Sequence, residues 1–145
     1  MTSLSNIEIL LVEDSSDDAE ITMRALAQLG LSNKIHWVKD GEQALKLLLS
    51  DTNSDAIAPK VILLDLKLPK IDGFEVLASL RNSPAQLKIP VVVLTSSNEE
   101  SDLVKCYDLG ANSYVVKPVD FTKYSSAIKE IAGYWIDKNQ VPTSL

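Results

Sequence analysis

Four short apolar runs constrain this chain more than any other feature: Ile7–Val12, Val61–Leu64, Pro90–Leu94 and Tyr114–Val116. Each is rich in β-branched residues and nearly continuous in apolar character, whereas a strand with one wet face would alternate. Such runs suit a parallel sheet covered on both faces. A fifth, weaker strand fits Lys34–Val38. Between the runs the apolar spacing becomes helical. Asp17–Leu29 carries Ala19, Met23, Leu26 and Ala27 on one face, with Ser16 or Asp17 as N-cap and Gly30 just past the end. Glu42–Leu49, Phe74–Arg81 and Glu99–Leu109 follow, the last closed by Gly110. The final helix, Phe121–Asp137, spaces Phe121, Tyr124, Ile128, Ile131 and Trp135 by three and four. Strand and helix alternate five times. Parallel strands joined this way need right-handed crossovers, so the expected fold is α/β, a doubly wound five-stranded parallel sheet with five helices.

A chain of 145 residues suits one domain, here 7–138, with an N-terminal extension at 1–6 and a tail at 139–145. Ser50–Lys60 reads as a polar surface loop. The start has no basic region, and no apolar segment approaches the ~20 residues that span a bilayer. The expectation is a cytoplasmic protein without membrane contact. Cys106 is the single cysteine, which excludes an internal disulfide and a cysteine-based zinc cluster. A formal net charge of −6 argues against a broad basic surface for nucleic acid.

In a doubly wound sheet, ligands bind beyond the carboxyl ends of the strands. The residues there are Glu13 and Asp14 after the first strand, Asp65 after the third, Thr95 and Ser96 after the fourth, and Lys117-Pro118 after the fifth. Alone, Asp14 could simply cap a helix and Thr95 could be an ordinary strand-end threonine. Together they form a set. Clustered carboxylates repel by roughly 4 kcal/mol per pair at ~4 Å and an effective dielectric near 20, so they must take up protons, pair with a cation or hold a metal. Hard oxygen donors partly open to water suit Mg²⁺. A carboxylate nucleophile, a metal, an amine and a hydroxyl make a site for phosphoryl transfer.

The ordered set E-D, D-L-K-L-P-K-I-D-G, T-S and K-P, each at the end of its strand, resembles the receiver domains of two-component response regulators, including the chemotaxis-type stand-alone receivers. The resemblance spans about Ile7 to Asp137 and implies the flavodoxin-like receiver topology. It makes Asp65 the acceptor of a phosphoryl group from the phosphohistidine of a partner histidine kinase. It makes Asp14 a direct ligand of Mg²⁺, Glu13 a ligand through water, and the Lys67 carbonyl a further ligand beside Asp65. Thr95 and Lys117 would contact the phosphoryl group, and Tyr114 would move inward when Thr95 is drawn to it. The Lys117–Pro118 bond is expected to be cis. Lys67 and Ser97, two residues beyond Asp65 and Thr95, would border the site and influence how water reaches an acyl phosphate.

Asp17-Asp18, the long loop before the third strand and the run LKIPVVVLTSSNEESDLVKCYDLGANSYVVKPVD resemble receivers paired with cyanobacterial phytochrome-type kinases. A homodimer through the helix 4–strand 5–helix 5 face is the expected self-association. His36 falls in a strand and Cys106 in a helix beside Tyr107, so neither reads as a reactive group. Tyr134, off the stripe of the last helix, would mark a contact face with Ala127. The competing function is a small phosphatase or hydrolase that forms an aspartyl phosphate, disfavoured because no cap domain encloses a substrate.

Overall fold

A computed structural model of the chain describes residues 6–49, 57–84, 86 and 88–142. Its sheet is formed by β1 (Ile9–Val12), β2 (Ile35–Val38), β3 (Val61–Leu64), β4 (Val91–Thr95) and β5 (Ser113–Val116). All neighbours are parallel, in the order β2-β1-β3-β4-β5. The order reverses at β1, so the crevice between β1 and β3 is the switch point at which ligands are expected.

The pleat divides the strand residues between two cores. Leu10, Val12, Ile62, Leu64, Val91 and Val93 face one side with α2 (Gly41–Leu48), α3 (Gly73–Arg81) and α4 (Glu100–Asp108). Ile9, Leu11, Val61, Leu63, Val92 and Leu94 face the other, with α1 (Ser16–Gln28) and α5 (Phe121–Ala132). Burial on both faces is why these strands are continuously apolar. Each such side chain contributes about 1.5–3 kcal/mol by leaving water.

Aspartates start three helices. Asp40, Asp72 and Asp120 accept from the backbone N–H groups of Gln43 (2.8 Å), Glu75 (3.0 Å) and Lys123 (2.9 Å). The cap of α1 is Ser15, taking the Asp18 N–H at 3.2 Å, in place of the expected Ser16 or Asp17. Gly30 and Gly110 adopt φ of 76° and 97° after their helices, as expected.

Several expectations are corrected. The buried face of α1 is Ala19, Thr22, Ala25 and Leu26, with Met23 and Ala27 turned to solvent. Phe121 opens α5 at 58% exposure because Tyr124 is the first residue of that helix to meet the core. The regular helix ends at Ala132, and Gly133–Lys138 continues as a π-helical turn that buries Ile136. Of the 50–60 loop, 50–56 lie outside the described residues, while Ile57 is buried in the core rather than on the surface. Residues 1–5 and 143–145 also lie outside them. No peptide bond among the described residues is cis, so Lys117–Pro118 is trans. Trans is the lower-energy form of an X–Pro bond by about 0.5–1 kcal/mol, and the long lysine side chain reaches the acidic residues from it.

Candidate functional site: an acidic pocket at the strand ends

The register of β1 and β3 pairs Val12 with Leu64, so the residues that follow them emerge side by side. Asp65 continues the ladder, its N–H donating to the Val12 carbonyl at 3.1 Å. Glu13 turns inward and is 1% exposed, whereas Asp14 turns out to solvent. One carboxylate oxygen from each of Glu13, Asp14 and Asp65 lies within 4.8 Å of the others. At that spacing each ionised pair repels by roughly 3 kcal/mol at an effective dielectric near 20.

One ammonium answers this charge. Lys117, just past β5, sets its Nζ 2.6 Å from Glu13 Oε1, 2.8 Å from Asp18 Oδ2 and 3.0 Å from Asp65 Oδ2. Its backbone is fixed by its N–H donating to the Thr95 carbonyl at 2.7 Å. Burial opposes the charge on Lys117, but its bonds to Asp18 and Glu13 and the charge of Asp65 outweigh burial, so its pKa moves up. Glu13 is raised too, which for a carboxylate disfavours the charge. Burial pushes it up to about 7, with Asp65 adding to the shift and Lys117 opposing it. The Glu13 backbone is pinned by Trp37, whose indole N–H donates to its carbonyl at 2.7 Å.

Asp65 is 7% exposed. Its second oxygen accepts the Lys67 N–H at 3.4 Å, a long bond that steers the carboxylate. The Lys67 side chain itself is exposed. Gly73 permits the close approach of α3, because a Cβ there would stand 2.5 Å from the Asp65 carbonyl oxygen.

Thr95 ends β4 fully buried, and its hydroxyl oxygen accepts the Ser97 N–H at 3.3 Å. The Ser97 hydroxyl is engaged at the start of α4, donating to Asp102 Oδ2 at 2.6 Å and accepting the Glu99 N–H at 3.3 Å. Tyr114 spans from β5 to the same loop, its hydroxyl donating to the Ser97 carbonyl at 2.9 Å. Its phenol is raised by burial.

Glu13, Asp14, Asp65 and Lys117 therefore meet as expected, with Thr95 and Tyr114 on the adjoining strands. Asp18 was not anticipated as part of this group. A signal for it exists: it lies in the first turn of α1, which opens directly beyond the end of β1, so it starts close to the strand ends. Three hard carboxylates form a donor set suited to a small divalent cation.

The sequence model of the response regulator receiver domain matches residues 9–129. The probable methanogenesis regulatory protein FilR2 of Methanothrix harundinacea is 42% identical over 134 residues, covering 92% of this chain and 86% of its own. The response regulator Rcp1 of Synechocystis is 34% identical over 137 residues, 94% of this chain and 93% of its own. The crystal structure of its Mn²⁺-bound form superposes with a TM-score of 0.85 over 93% of this chain and 98% of that one. The phosphorylated cyanobacterial phytochrome response regulator RcpA gives a TM-score of 0.86 at 36% identity, over 93% and 97% of the two chains.

Proposed function

The chain belongs to the response regulator receiver family, and from that membership we propose that Asp65 accepts a phosphoryl group from the phosphohistidine of a partner histidine kinase. The observation that carries this reading is the placement of Asp65, buried at the switch point, with one oxygen 3.0 Å from Lys117 Nζ and two further carboxylates within 4.8 Å. An Asp65 oxygen attacks the phosphorus, the phosphorus–nitrogen bond to the histidine breaks, and an acyl phosphate forms. Glu13, Asp14 and Asp65, with the Lys67 carbonyl, would hold Mg²⁺, whose charge offsets that of the incoming phosphoryl oxygens. Lys117 turns from the carboxylates to a phosphoryl oxygen. Thr95 redirects its hydroxyl proton to another, and the loop that carries Ser97 and receives Tyr114 follows it.

The described residues contain no helix long and apolar enough to cross a membrane. The receiver unit so read runs from 7 to 138 and works in the cytoplasm. It catalyses only its own phosphorylation and dephosphorylation, and it signals through protein contacts, including a homodimer on the α4–β5–α5 face. Homology to Rcp1 and RcpA supports a phytochrome-type kinase as donor.

Intact-protein mass after incubation with Mg²⁺ and acetyl phosphate tests the reading. One phosphoryl adduct on the wild type and none on Asp65→Asn is the expected result. No adduct on the wild type, together with no uptake of beryllofluoride, would reduce the pocket to a cation site.

A further inference from the structure

Glu13 is where β1 stops being sheet and becomes site, and both of its backbone groups are held from β2. Its N–H donates to the carbonyl of Val38, the last residue of that strand, at 3.1 Å. The chain then turns off to Asp40, the cap of α2. The Glu13 carbonyl is held by a side chain, accepting from the Trp37 indole Nε1–H at 2.7 Å. That carbonyl belongs to the peptide plane joining Glu13 to Asp14. The atoms of such a plane move together, so the indole fixes the direction in which the Asp14 backbone leaves the sheet. Core filling accounts for only part of Trp37. It is half-buried on an edge strand, and its ring packs on the rim of one core, lining an open apolar groove with Met23, Ala27 and Ile35. Ile35 lines the same groove without a polar group; the indole adds a donor, and that donor is spent on the residue before Asp14.

We propose that Trp37 is a positioning residue for the cation, its indole holding the Glu13–Asp14 peptide so that the Asp14 carboxylate stays beside Glu13 and Asp65. The inference rests on the reading of the pocket as a cation site, and it gives β2, which supplies no ligand, a share in the affinity. Charge makes such a hold necessary. One oxygen from each of Glu13, Asp14 and Asp65 lies within 4.8 Å of the others, and ionised carboxylates at that spacing push apart. Asp65 is fixed by its ladder bond to Val12, and the Glu13 carboxylate by Lys117 and by the Ser15 N–H at 3.2 Å. Asp14 is exposed, so its place among the three depends on its backbone. Groups that orient metal ligands without touching the metal raise affinity by holding the site ready before the ion arrives. The indole acts one peptide away from the Asp14 side chain, so its effect is that of one net hydrogen bond.

Mg²⁺ titrated into the chelator-treated full chain tests this, with Asp14→Ala as the control that assigns binding to the pocket. Trp37→Phe keeps a ring in the groove and removes the donor. It should bind Mg²⁺ about 2- to 10-fold more weakly than wild type. The comparison is made at a temperature where both proteins are fully folded, so a merely structural tryptophan would lower the melting temperature and leave the dissociation constant unchanged. A second measurement needs no change at Trp37. The chain has two tryptophans, Trp37 and Trp135, so Trp135→Phe leaves a single indole N–H signal in a nitrogen–proton spectrum. That signal should shift on adding Mg²⁺ and saturate with the same dissociation constant, and it decides the matter if Trp37→Phe does not fold. Wild-type affinity in Trp37→Phe, or an indole signal that stays in place through saturation, would overturn the inference and leave the cation site intact. Failure of the wild type to bind Mg²⁺, or undiminished binding by Asp14→Ala, would remove the cation reading together with it.

Discussion

Glu13 holds a charge that its surroundings resist. It is 1% exposed and shares Lys117 with two other carboxylates, and burial lifts its carboxyl from 4.5 to about 7. Between those values the folded protein binds more protons than the unfolded chain, so the stability from this group is complete below its unfolded pKa and is lost as pH rises through about 7. In metal-free protein, Glu13→Gln should therefore gain on the wild type as pH is raised from about 5 to about 8, by roughly 1–3 kcal/mol. Thermal melts of both proteins across that range check this, and a constant gap would exonerate Glu13. A cation answers the same charge differently. If Mg²⁺ is held by the folded pocket and not by the unfolded chain, as proposed, tenfold excess over its dissociation constant should add roughly 1.4 kcal/mol. Asp14→Ala should remove most of the rise in melting temperature on adding Mg²⁺ to chelated protein; an undiminished rise would place the cation elsewhere. The positions of these residues were legible in the sequence because strand ends fix where Glu13, Asp14 and Asp65 emerge. Asp18 was not, because its role depends on how α1 is rotated, and the apolar spacing alone placed Met23 rather than Thr22 on the buried face.

Elements differ in how openly their sequence declares them. The strands β1, β3 and β4 were visible because burial on both faces leaves no polar residue to interrupt them, whereas β2 and β5, at the edges, are only partly buried; structure moved the limits of all five by only a residue or two. Helix faces were less visible. In α1 the core accepts Ala25 and the hydroxyl of Thr22, which bonds back to the Asp18 carbonyl, so polarity did not mark the outer side. In α5 the apolar spacing runs unbroken into Trp135 and does not reveal the change to a π turn at Gly133. The start of α4 shows how an element is tied to the site. Its N-cap residue, Glu99, makes no side-chain cap, and Ser97 supplies the contact instead, through the Glu99 N–H and Asp102. The same serine donates its N–H to the Thr95 hydroxyl oxygen, and its carbonyl accepts from the Tyr114 hydroxyl. Ser97→Ala should cost about 1 kcal/mol, as other lost caps do. Amide exchange should quicken in the first turn of α4 and stay unchanged in α1. Uniform quickening across both helices would mean that the serine supports the fold as a whole and not this helix start.

At the scale of the molecule, the sheet order leaves β5 at one edge, flanked by α4 and by the start of α5. Those elements carry most of the exposed large apolar side chains among the described residues. Val104 and Tyr107 of α4 are 48% and 50% exposed, Val116 of β5 is 42%, and Val119 and Phe121 beyond it are 105% and 58%. Apolar residues grouped on one face, rather than scattered, mark a surface that meets another protein. This face is also mechanically connected to the pocket, since Tyr114 in β5 hangs from the Ser97 carbonyl and Lys117 closes the same strand over Asp65. Movement of Thr95 and Lys117 toward a phosphoryl group would therefore reshape the face while leaving β2, at the opposite edge, in place. A stable pair needs on the order of 1,000 Å² of total buried surface with good fit, which a reshaped face can supply and the resting one need not. Light scattering of the chain with Mg²⁺ should give a monomer, and with beryllofluoride added, a dimer. Val119→Glu, which introduces a charge at the most exposed of these positions, should keep the mass monomeric while beryllofluoride still binds. A monomer with the mimic bound to wild type would assign the face to a different partner, and a dimer that survives Val119→Glu would place the contact on another surface.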